Sequence, residues 1–269
     1  MWTLELLPYL EPLLSRPQQP DNLCGPYWIA LLLQMLGGLS TSAVDVAIAA
    51  HTLLPDQAGT WTPLGANALQ GEGYSTIPTC PVVDQCGTSL MGLMEATELL
   101  SRGQFCLVPL QAVQWETGLA SLWELCQTHP KWQVVPLLNS HTHYFWGSQL
   151  SPAMLSSYLQ GQAIEAPLAD WSVGHFALLG GSVNGQVKRL YVILDTYRQL
   201  GWDGLHLQPS STLAASLSRP QHSTAGGIAL FLASSVRSKV EQIIGDIGFQ
   251  VTTWDNGTPM PRPISISPS

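Results

Sequence analysis

Apolar residues arrive in blocks along the chain, and the spacing inside each block predicts an element. After Cys24, the residues Tyr27, Trp28, Leu31, Leu32, Met35 and Leu36 follow helical spacing, while Ile29, Ala30 and Leu33 fill the other faces. A helix that is apolar all round is a central one. Asp21 or Asn22 can cap its start, Pro26 suits a first turn, and Gly37-Gly38 stops it. Residues 42–54 read as a second helix, and residues 90–100 as a third, capped by Thr88 or Ser89. The pattern then predicts a strand over 105–113, a helix over 119–127 and a strand over 132–138. Within the ambiguous stretch 139–172 only residues 152–159 read as helix. Segments 174–183 and 188–196 form a hairpin, with Asn184-Gly185 as the turn signal. A short helix over 213–217, a strand over 227–233 and a helix over 236–247 follow. Residues 1–20 form an apolar-acidic lead-in whose prolines favour extended structure. Residues 55–88, rich in Pro, Gly and Thr, read as a long loop, and 259–269 as a mobile Pro/Ser-rich tail. With no repeat and no compositional break, the expectation is one α+β domain over 1–258 carrying an insertion around 114–172.

Composition narrows the function classes. Hydrophobic residues make up 45% of the 269 residues and ten are tryptophan, so a sizeable core is affordable in sequence terms. Charged residues reach only 10%, against about a quarter in ordinary domains. A net charge of −8 with ten Lys and Arg leaves no basic patch for phosphates, which argues against nucleic-acid partners and basic membrane-surface helices. The longest uncharged apolar stretch, 23–44, is interrupted by Gln34, Gly37-Gly38 and Ser40-Thr41-Ser42, so a core helix is expected rather than a membrane span. The first residues lack the positive region of a secretory signal. Five cysteines, an odd number without framework spacing, are then expected as free thiols in a reducing, cytoplasmic setting.

One cysteine stands apart. Cys24, in Gln18-Gln19-Pro20-Asp21-Asn22-Leu23-Cys24-Gly25-Pro26, opens the central helix. A helix N-terminus and a neighbouring imidazolium both favour the thiolate, the nucleophilic form. His175, opening an apolar strand, is the base, and Asp195, across the hairpin, is the group that orients it. An oxyanion donor is also needed. Gln18 or Gln19 can supply its amide, with spacing in favour of Gln18, and the Cys24 backbone N–H can supply a second. Register makes this testable. A two-residue Asn184-Gly185 turn would place His175 opposite Leu194 and turn Asp195 to the other face, so one extra residue in the hairpin is required.

The run Gln-x5-Cys-Gly-Pro resembles the papain-like cysteine peptidases. Gly87-Thr88-Ser89 with Gly92-Leu93 and Ala96 resembles the second helical motif of their C39-like, double-glycine leader peptidase branch. Gly174-His175-Phe176-Ala177-Leu178-Leu179 resembles its histidine strand, and Tyr191-Val192-Ile193-Leu194-Asp195 its acidic strand, with Thr196 where a proline usually follows. About 150 residues share this resemblance in patches, and the stretch between Val113 and Gly174 is extra. The resemblance implies a helical lobe, with the Cys24 helix at its centre, packed on an antiparallel sheet. It also implies acyl transfer at Cys24 on a peptide or other acyl or amide substrate, as a peptidase or amidase. The alternatives are an acyltransferase or transpeptidase of a natural-product or peptide pathway, and a papain-like fold kept as a non-catalytic binding module. Cys80 and Cys86 with His141 and His143 give a poor zinc pattern, Cys106 and Cys126 sit in core patterns, and no nucleotide motif is present, so no metal or cofactor is expected. Trp61, Trp146 and Trp171 lie in loops that can wall a substrate site.

Overall fold

The computed structural model describes residues 2–147, 150–167 and 169–259; the expected mobile tail lies, from residue 260 onward, outside the described residues. In chain order the elements are β1 (Thr3–Leu6), α1 (Cys24–Gly37), α2 (Ala43–Ala49), β2 (Leu54–Pro55), β3 (Thr79–Cys80), α3 (Leu90–Leu100), β4 (Phe105–Ala112), α4 (Trp115–Thr128) and β5 (Val135–His141). They continue with α5 (Pro152–Leu159), β6 (Gly174–Asn184), β7 (Arg189–Leu194), β8 (Leu205–Pro209), α6 (Ser210–Ser218), β9 (Gly227–Ala233), α7 (Arg237–Asp246) and β10 (Phe249–Val251). Eight strands form one antiparallel sheet in the order β10-β4-β9-β5-β6-β7-β8, with β1 on the same edge of β6 as β5, further along. The architecture is α+β. No helix among the described residues is long and apolar enough to cross a membrane.

The central helix forms as its pattern predicts. Trp28, Ile29, Leu32 and Leu33 are wholly buried in the core shared with the sheet, and Gly38, with φ 63°, closes the last turn by donating its N–H to the Gln34 carbonyl at 3.0 Å. The start differs from expectation. Neither Asp21 nor Asn22 caps it; Leu23 holds the cap position without a side-chain bond. The Asp21 carboxylate instead accepts from the Gly59 N–H and the Thr62 hydroxyl, each at 2.7 Å, and fastens the long loop. The second helix ends at Ala49, five residues short of expectation. Ser42 and Asp45 close a capping box at its start, and His51 with φ 54° breaks the chain away toward β2. Ser89 caps α3 by accepting from the Gly92 N–H at 3.0 Å.

The lead-in is not merely extended: β1 pairs with β6, and a 3-10 helix over Pro8–Ser15 follows, which tolerates Pro12. The strand expected over 132–138 forms as β5, an interior strand between β9 and β6. In the hairpin, Asn184 pairs with Arg189, so the loop has four residues rather than two. That change alone keeps the unwanted parity. A bulge between Leu179 and Gly181 then shifts the register by one, so that Leu178 pairs with Leu194. Asp195 comes next, beside Ala177, on the face that His175 shares by two-residue alternation. The odd residue required by the sequence is Gly180, whose Cα lies so close to Leu194 that a Cβ would sit 2.7 Å from its Cγ.

Helix α3 packs against the C-terminal end of α2 through a tight contact. A Cβ on Gly92 would lie 2.2 Å from the Ala50 carbonyl oxygen. Alanine in a helix interior is worth up to about 1 kcal/mol over glycine, but a backbone clash of this kind costs about 1–3 kcal/mol, so the clash wins. Gly92→Ala should lower the urea midpoint with an unchanged slope. A midpoint equal to or above wild type would contradict this close approach.

Candidate active site

Cys24 is the first residue of α1, and Gly25 explains how the helix start reaches the sheet. A Cβ there would lie 2.8 Å from a Leu93 methyl and 3.1 Å from the Phe176 ring, so glycine lets α1 sit close to α3 and β6 without displacing those side chains. Trp28 fixes the crossing by donating its indole N–H to the Phe176 carbonyl at 3.1 Å. Half-buried Cys24 and buried His175 thereby line one cavity of about 330 Å³. His175, second in β6, is held against Ser140 of β5.

The structure brings His175 and Asp195 together. His175 Nε2 lies 3.1 Å from Asp195 Oδ1, and both side chains are nearly inaccessible. The same oxygen accepts the Tyr197 N–H at 3.0 Å, and Oδ2 lies 3.3 Å from Nε2 of a second buried histidine, His206. Arg16 grips the Asp195 backbone: its Nε and a terminal nitrogen donate to the Asp195 carbonyl, and that terminal nitrogen also reaches the Gly204 carbonyl at 2.8 Å. The guanidinium lies 5.1 Å from the Trp28 ring centre. Trp171 covers the pair, 4.8 Å from the His175 ring and 5.5 Å from Tyr197, and its indole N–H donates to the Trp61 carbonyl.

Electrostatics follow from this packing. Burial by itself lowers the proton affinity of His175. The negative charges of Asp195 and Cys24, with the hydrogen bonds to both, outweigh it and raise His175 to about 10. Burial pushes Asp195 up, and His175 and His206 outweigh that to hold it well below the usual carboxylate range. Burial pushes up the Cys86 thiol to about 11 and the Cys126 thiol to about 12, and it raises Cys106 as well.

The two glutamines part company. Gln18 lies outside the cavity lining, its amide spent on the Asn67 carbonyl at 2.7 Å and on Gln199 at 3.0 Å, so the spacing preference for Gln18 is corrected. Gln19 lines the cavity, is 1% exposed and bonds the Tyr197 hydroxyl at 3.0 Å through Nε2, while its Oε1 has no protein partner. A hydroxyl both donates and accepts. The amide therefore fits equally with its oxygen on Tyr197 and its NH2 free, and either way one polar atom of the amide has no protein partner.

Trp61 and Trp171 line the cavity, as loop tryptophans walling a site should; Trp146 does not. Among the described residues no group of three or more His, Cys, Asp or Glu is arranged to hold a metal ion. His141 stacks on His222 at 4.1 Å instead, lowered to about 4 by burial with His222, Arg219 and His143 nearby. Sequence reasoning missed His206 and Arg16. The alternation Leu205-His206-Leu207-Gln208 in β8 was the available signal for the first; a buried arginine in a proline-rich lead-in leaves none. Residues 10–255 match the model of a family of unknown function (DUF6885). No curated protein matches the chain.

The shifts give a pH dependence of stability. His175 is raised in the fold, so its contribution is complete below its ordinary value of about 6.5 and is lost as pH climbs through about 10. Asp195 is lowered, so its contribution is present above about 3.9 and is lost as pH falls from there. The wild-type urea midpoint should therefore decline from roughly pH 6.5 upward toward alkaline pH, and a His175→Gln variant should be less stable but flatter across that window. A wild-type midpoint that holds level there would contradict the buried pair.

Proposed function

The chain belongs to the family of unknown function DUF6885, and within it we propose a cysteine-nucleophile acyl-transfer enzyme of papain-like type, a peptidase or amidase working through a thioester on Cys24. One observation carries this reading. The cysteine that opens the central helix shares a cavity with a buried histidine whose far nitrogen is bonded to a buried aspartate. A structural cysteine does not need a base and an orienter delivered from two strands.

The geometry supports a two-step cycle. The raised proton affinity of His175 keeps the Cys24 thiol proton on the imidazole, and the thiolate attacks the carbonyl carbon of the substrate. The oxyanion that forms is held by the Gln19 amide and by the Cys24 N–H, one of the first four helical donors that lack an intrahelical acceptor. The imidazolium returns the proton to the leaving amine as the C–N bond breaks, leaving the thioester. His175 then deprotonates water, which attacks the thioester and releases the acid and the thiolate. An amine or thiol in place of water makes the same site an acyltransferase. Trp171 shields the His175–Asp195 bond from solvent throughout.

Incubation with an activated acyl ester should give an intact-mass adduct that maps to Cys24 and is absent from Cys24→Ala. Gln19→Ala should slow acylation by about a hundredfold, the usual cost of an oxyanion donor, while Gln18→Ala should stay within about twofold. An adduct that persists in Cys24→Ala, or equal slowing by both glutamine variants, would contradict the assignment.

A further inference from the structure

We propose that His206 is a positioning residue: a neutral imidazole, protonated on Nε2, that pins the outer oxygen of Asp195 so that the inner oxygen stays aimed at His175. The proposal rests on the acyl-transfer reading for its consequence, but not for its geometry. It begins at backbone groups whose roles cannot be exchanged. The Trp146 N–H donates to Gln208 Oε1 at 2.8 Å, and the Trp146 carbonyl accepts from Gln208 Nε2 at 3.1 Å. The Thr212 hydroxyl also donates to that Oε1, at 3.2 Å. The amide orientation of Gln208 is thereby fixed.

Gln208 Nε2 stands 3.2 Å from His206 Nδ1. An amide nitrogen only donates, so Nδ1 is the bare ring nitrogen and the proton of His206 sits on Nε2. That nitrogen faces Asp195 Oδ2 at 3.3 Å. Strand alternation sets the chain up: His206 and Gln208 are two apart in β8, and His206 pairs with Ile193, two before Asp195. Gln208 is fully buried and His206 nearly so, with Phe145 packed 5.4 Å from the imidazole. Asp195 therefore has one oxygen per histidine, and its carboxylate cannot turn without leaving a buried group unpaired. His175 must donate through Nε2 to the remaining oxygen, which leaves its Nδ1 for Cys24. His206 touches neither nucleophile nor substrate; it acts through Asp195.

Three forms of the full chain test this: wild type, His206→Gln, whose amide nitrogen can replace the Nε2 donor, and His206→Leu, which removes it. The first readout is ring nitrogen NMR, in wild type and in Cys24→Ala. It should show His206 as the Nε2–H tautomer; an imidazolium or the Nδ1–H tautomer overturns the proposal whatever Cys24 does. The second is alkylation of Cys24 by iodoacetamide, with the buried Cys106 and Cys126 as internal reporters of folding. His206→Leu should slow Cys24 roughly tenfold or more, in line with the loss of an outer-sphere partner, while His206→Gln stays within about threefold and Cys106 and Cys126 stay protected in both. Wild-type speed in His206→Leu, or equal loss in both variants, overturns it. A wild-type Cys24 no faster than Cys106 instead overturns the nucleophile reading, and the nitrogen shifts then decide the proposal alone.

Discussion

The buried charge of Asp195 is the constraint on which the site and much of the sheet depend. A carboxylate taken out of water costs several kcal/mol unless its oxygens are occupied. Here both oxygens are occupied from different parts of the chain: His175 from β6, the Tyr197 N–H from the turn that follows β7, and His206 from β8. Arg16, from the lead-in, adds positive charge through the Asp195 carbonyl. Removing one partner leaves the others holding an uncompensated charge. The register of β6, β7 and β8 is therefore fixed by polar satisfaction as well as by apolar packing.

From that centre the geometry of the cavity follows outward. The Gly180 bulge is what puts Asp195 and His175 on one face, so a local backbone irregularity is a requirement of the ion pair. Gly25 lets the cysteine end of α1 reach the same face, and Trp171 lies over the pair, keeping water from weakening it. The lead-in is tied in twice more, by the Gln19 N–H on the Thr196 carbonyl and by the Tyr27 hydroxyl on the Pro17 carbonyl. Gln19 thus arrives in the cavity because the backbone around it is anchored to the exit of β7, while Gln18 is turned toward Asn67 and Gln199.

What the sequence disclosed, and what it hid, divides along range. Helical spacing around Trp28 and Leu32, the stop at Gly38, the Ser89 cap and the parity problem of the hairpin are all local, and the structure contains each of them. The loop is longer than the Asn184-Gly185 signal suggests because Asn184 still belongs to β6, and Gly185 opens a four-residue connection that its N–H closes on the Lys188 carbonyl. Asp21 looked like a helix cap because capping is a local habit of aspartate, but its carboxylate bonds Gly59 and Thr62, some forty positions away. The choice between Gln18 and Gln19 turns on which side chain of an irregular segment faces inward, and counting residues does not settle that. Arg16 left no local signal, and the alternation around His206 marks only an inward-facing strand residue; the meaning of both comes from Asp195, which lies elsewhere in the sequence.

The central claim is that His175, held by Asp195, makes Cys24 a nucleophile unlike the other four cysteines. Its most direct test is competition of all five thiols for limiting iodoacetamide in the folded protein, resolved by peptide mass spectrometry. The account predicts that Cys24 takes the first label ahead of Cys80, Cys86, Cys106 and Cys126, and that His175→Ala erases the preference while the fold persists. Uniformly slow labelling of all five, or a Cys24 preference that survives the loss of His175, would contradict it.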